Sequence, residues 1–74
     1  MKKTEYKVFL NPDNFWVGKQ TDVDKIIITD ESKKVVKSKT YELAESNRPS
    51  VVTVYDDIGE FQEDKTFSER KLKF

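Results

Sequence analysis

The sequence predicts a mainly β protein: one small domain of four to five antiparallel strands, arranged as a sheet or small barrel, with room for a short C-terminal helix. Three observations carry that expectation. Eight valines and four isoleucines stand against three leucines and a single alanine; stiff β-branched side chains suit a pleated surface, whereas helices favour Ala and Leu. The apolar residues fall in short runs bounded by turn formers. And 74 residues make one domain, below the length at which a single core gives comfortable stability.

The elements follow in order. Strand one runs from Thr4 to Leu10, with Tyr6, Val8 and Leu10 on one face and Glu5, Lys7 and Phe9 on the other. It stops at Asn11-Pro12-Asp13-Asn14, where proline lacks a ladder donor and Asn and Asp favour turns. A long loop holding Phe15-Trp16-Val17-Gly18 leads to strand two, Val23 to Thr29, whose Ile26-Ile27-Ile28 centre suggests burial on both faces. Asp30-Glu31-Ser32-Lys33-Lys34 fits a polar hairpin loop into strand three, Val35 to Leu43, which alternates Lys37, Lys39 and Tyr41 with Ser38, Thr40 and Glu42. Strand four, Val51 to Asp56, follows the Asn47-Arg48-Pro49-Ser50 turn. Phe67 to Phe74 reads as a fifth strand or as a short helix, since Thr66 and Glu69 have capping-box spacing.

Composition excludes much chemistry. There is no cysteine and no histidine. A disulfide framework, a thiol nucleophile, a cysteine or histidine zinc site and a Ser-His-Asp triad are therefore all ruled out. Fourteen basic and fourteen acidic residues cancel, and mean hydropathy is −0.79. Total charge thus favours neither nucleic acid nor an anionic membrane. No apolar run follows the N-terminal lysines, so a cytoplasmic protein without a membrane span is the expectation. Twelve lysines against two arginines suggest an AT-rich genome, bacterial or from a mobile element.

Catalytic and metal constellations are weak. Pro12-Asp13 with Glu31-Ser32-Lys33 has the letters of a metal-dependent nuclease. Acid-x-Lys triplets recur four times in this charged chain, however, and Pro12-Asp13 lies in a turn. Asp22-Val23-Asp24 and Asp56-Asp57 are the other carboxylate pairs, and neither belongs to a calcium loop. No Gly-rich phosphate loop is present. The expectation is a non-enzyme with no metal and no cofactor.

Charge is blocked along the chain. Lys33, Lys34, Lys37 and Lys39 form one basic cluster, and with neighbouring aromatics they make a small nucleic-acid-binding barrel the alternative reading. The preferred reading is recognition of a larger protein, as a small regulator or inhibitor. Its contact residues are the loop aromatics Phe15 and Trp16 and the acidic stretch Asp56, Asp57, Glu60, Phe61, Glu63 and Asp64. In that stretch carboxylates surround the apolar Ile58 and Phe61. Trp16 has a competing structural role as a lid over the core. A homo-oligomer that pairs exposed strand edges is a further alternative.

Overall fold

The computed structural model describes residues 3–69. Its order is β1 (Thr4–Leu10), β2 (Trp16–Gln20), β3 (Lys25–Asp30), α1 (Lys33–Ser46), β4 (Ser50–Tyr55) and β5 (Phe61–Phe67). The strands form one open five-stranded sheet in the order β3-β2-β1-β4-β5. All neighbours are antiparallel except β1 and β4, which run parallel. The antiparallel expectation thus holds at three of the four pairs and is corrected at β1–β4, and the barrel alternative gives way to an open sheet. A parallel pair needs a crossover, and α1 supplies it by carrying the chain from edge strand β3 across to β4.

The third expected strand, Val35 to Leu43, is a helix. Val36, Thr40 and Ala44 are all fully buried while Ser38 and Glu42 between them are exposed, a four-residue repeat that fits a helix and not the alternation of a strand. Ser32 caps it, its Oγ accepting from the Val35 amide at 3.3 Å. Asp30 braces the cap by accepting from the Ser32 amide at 2.8 Å. The supposed hairpin loop 30–34 is thus a helix entry. At the other end the Asn47 backbone amide donates to the Ala44 and Leu43 carbonyls, and its side chain spans from Leu43 O to the Tyr6 hydroxyl.

Helix α1 covers one face of the sheet. The core beneath it is Tyr6, Val8, Val36, Ala44, Val52, Val54 and Phe67, with Trp16, Ile27, Ile28 and Tyr41 packed at its rim. Gly18 lets the helix come close, because Thr40 and Val36 lie directly over its α-carbon. Ser50 is buried as well and donates to Ala44 O at 2.5 Å.

The other departures have local causes. Phe15–Gly18 is not a long loop, since β2 already begins at Trp16. The register shift opposite Gly18 and Lys19 lets Ile27 and Ile28 both reach the core, while Ile26 is left 61% exposed. The isoleucine run is therefore not buried on both faces. The acidic stretch does not stay a loop: Phe61 to Asp64 belong to β5, an edge strand of which only Phe67 is buried. Of the ambiguous terminus, Phe67 closes β5, and positions 70–74 lie outside the described residues.

Candidate functional site

The β1–β2 turn separates the two loop aromatics. Asn11 Oδ1 accepts from the amides of Asp13 at 2.9 Å and Phe15 at 3.0 Å, which fixes the turn. Phe15 stays 38% exposed beside it. Trp16, on the next residue, turns to the helix side, packs against the core half-buried and carries Lys33 Nζ 4.8 Å above its ring. Trp16 thus packs against the core within β2 instead of standing beside Phe15 on a loop.

The β4–β5 hairpin is the most deliberately shaped acidic element. Asp56 organises it: Oδ1 accepts from the amides of Ile58 at 3.1 Å and Glu60 at 2.8 Å, while its own amide donates to Glu60 O at 2.8 Å. Gly59 has φ +86°, a conformation that other residues adopt at a cost. This framework projects Ile58, 73% exposed, between the exposed Asp57 and Glu60, with Phe61, 61% exposed, following Glu60 at the start of β5. Asp64 is exposed further along β5.

Glu63 is different in kind. It accepts from the Tyr41 hydroxyl at 2.9 Å and pairs with Lys37 at 2.7 Å, which ties β5 to α1. The hydrogen bond from Lys37, followed by that from Tyr41, holds its carboxyl below the usual carboxylate range. Burial, and then the hydrogen bond to Glu63, push the Tyr41 phenol up to about 12. These shifts arise from a structural clamp.

The four clustered lysines are dispersed around α1 rather than collected on a hairpin. Lys33 lies over Trp16 and donates to Gln62, Lys37 is held by Glu63, and Lys39 pairs with Glu42 at 3.2 Å. Lys34 is exposed. Elsewhere, Asp24 sits in the β2–β3 turn and pairs with Lys19 at 2.5 Å, which lowers its pKa. Among the described residues no three acids gather closely enough to hold a metal ion.

The sheet face opposite α1 has no covering layer among the described residues, and its register sorts the side chains into rows. Thr29 pairs with Val17 and Val17 with Phe9; Tyr55, next in register beyond the Val8–Val54 pair, faces Phe61. An apolar row thus crosses the sheet through Val17, Phe9, Tyr55 and Phe61. The adjacent row reads Ile26, Lys19, Lys7, Thr53 and Asp64. Between the two rows lies an open groove of about 420 Å³, bordered by Lys7, Phe9, Leu10, Lys19, Tyr55 and Gly59. Lys7 Nζ lies 5.5 Å from the Tyr55 ring centroid and makes no ion pair among the described residues. The groove adjoins the acidic hairpin, because Gly59 belongs to both.

No comparison assigns a relative. No protein-family model matches the chain, and no curated protein or solved structure is significantly similar to it. Acidic residues and Phe61 were legible from sequence as a contact candidate, but the aromatic row was not. It forms only when β2, β1, β4 and β5, far apart in the chain, take up their register. The Asp56-x-x-Gly59 spacing was the one local signal of a hairpin there.

Proposed function

We propose that the protein is a non-catalytic protein-recognition module whose contact surface is the β4–β5 hairpin together with the adjoining open sheet face. One observation carries this reading. Ile58, at 73% the most exposed large apolar side chain among the described residues, and Phe61, at 61%, sit on one hairpin braced by Asp56. Apolar area presented on a pre-ordered turn loses little conformational entropy on binding, and flanking carboxylates orient a cationic partner. The chemistry that fits is a basic, partly apolar protein surface.

The site assignment shifts accordingly. Asp57, Glu60, Phe61 and Asp64 remain contact residues, with Ile58 added and Phe15 at the margin. Asp56 shapes the turn, Glu63 clamps the helix, and Trp16 supports the core. The nucleic-acid alternative has less support, since three of its four lysines, Lys33, Lys37 and Lys39, are engaged by neighbours.

Affinity capture from native lysate tests the reading, using the parent and an Ile58→Ser/Phe61→Ser variant, with and without nuclease. A defined protein should be recovered equally from both halves and lost with the variant. Recovery that collapses after nuclease, or that ignores the variant, overturns it.

A further inference from the structure

We infer that the partner of this surface is a second copy of the chain, in a two-fold dimer packed through the open sheet faces. The assignment rests on the hairpin being a contact surface, and it adds what the hairpin touches. Each molecule carries both halves of a complementary pair. The groove offers the Lys7 ammonium group, with Lys19 beside it held by Asp24, against the apolar walls of Phe9, Leu10 and Tyr55. The neighbouring hairpin offers Asp57 and Glu60 around the exposed Ile58. Lys7, Asp57 and Glu60 make no ion pairs among the described residues.

The geometry favours a closed pair. Hairpin and groove share Gly59 and lie side by side on one face. A two-fold operation that lays two such faces together brings the hairpin of each copy over the groove of the other, so both contacts form at once and no open chain of molecules results. Sheet faces pack in this way with side chains interdigitating. The exposed Phe61 and the half-buried Phe9 and Tyr55 would then join the already buried Val17 in an interior, which accounts for an apolar strip on the side of the sheet away from α1. A single-stranded nucleic acid is a poorer occupant, because its phosphates would meet Asp57, Glu60 and Asp64 beside the groove.

Sedimentation equilibrium with paired charge reversals tests the dimer. The parent should pass from monomer to dimer between about 5 and about 500 µM, the weak end of specific association. Lys7→Glu/Lys19→Glu and Asp57→Lys/Glu60→Lys should each raise the dissociation constant at least about tenfold, since each places like charges across the interface. An equimolar mixture of the two should dimerise within about threefold of the parent, because the heterodimer pairs the reversed groove of one variant with the reversed hairpin of the other and keeps the parental contact on its second side. Circular dichroism confirms that each variant is folded.

A parent monomeric over the whole range overturns the inference, as do reversals without effect or a mixture that fails to recover. So does a monomer whose face instead binds an oligothymidine or an oligolysine probe. If the parent is monomeric yet lysate capture still depends on Ile58 and Phe61, the dimer falls and the recognition reading stands. If neither depends on the hairpin, both fall.

Discussion

Thr40 of α1 is seated directly on Gly18 of β2, so that a β-carbon at position 18 would collide with the Thr40 hydroxyl. That oxygen is already committed, donating to Val36 O at 2.8 Å, and the residue is fully buried. Helix and sheet leave no room here for a side chain at position 18, and this contact fixes where α1 sits over β2.

Gly18→Ala should therefore destabilise the protein by about 2–3 kcal/mol through overpacking, against an ordinary preference for Ala over Gly in a strand. The added methyl also meets Ile28 Cγ2 at 3.0 Å, so no empty side is left for relaxation. Urea denaturation measures the loss. Adding Thr40→Ala should recover part of it, and a Gly18→Ala protein as stable as the parent would refute the close contact.

Asp56→Ala should cost about 1–2 kcal/mol, because the Ile58 and Glu60 amides both lose their acceptor. The loss is local. Amide exchange should quicken at Ile58 and Glu60 while the β1 and β4 amides keep their protection. Uniform acceleration across all strands would show instead that the hairpin is needed for the whole fold.

Two opposed pH limits follow from the Tyr41–Glu63–Lys37 clamp. Glu63 has a folded pKa below its unfolded one, so its contribution is present above the unfolded value, near 4.5, and is lost as pH falls through the folded value. Tyr41 has a folded pKa raised from 10.0 to about 12, so its contribution is complete below pH 10 and fades as pH rises towards 12. Glu63→Gln should flatten the acid side of the stability profile, and Tyr41→Phe should remove a late-titrating phenol from the absorbance titration. A parent and a Glu63→Gln variant with parallel acid profiles would contradict the clamp.

How far the sequence revealed this depends on where the signal resides. Strands β1 and β4 and the body of β3 were legible because polar-apolar alternation marks β1, Val and Ile dominate the other two, and turns bound them. Helix α1 was not, because its buried stripe includes the polar, β-branched Thr40 and its exposed lysines mimic alternation. Strand β5 was missed because Phe61–Phe67 lies at the edge and buries only Phe67, so its composition is that of a loop. The acidic contact candidate could be read as a local cluster. The aromatic row opposite α1 could not, since register alone brings Phe9 beside Tyr55 and Phe61.

The lid role of Trp16 makes the last prediction. Its ring is half-buried against the core on one side and sits beneath Lys33 Nζ at 4.8 Å on the other. Trp16→Ala should cost about 2–4 kcal/mol, within the range for deleting a packed aromatic but below a full burial. Lys33→Ala should cost at most about 1 kcal/mol, the size of an exposed cation–π contact. Fluorescence checks the geometry independently. Emission of the folded parent should lie to the blue of the unfolded chain, and Lys33→Ala should move it towards the red as water reaches the uncovered ring. An emission maximum unchanged by unfolding would place Trp16 in solvent and return it to the contact surface.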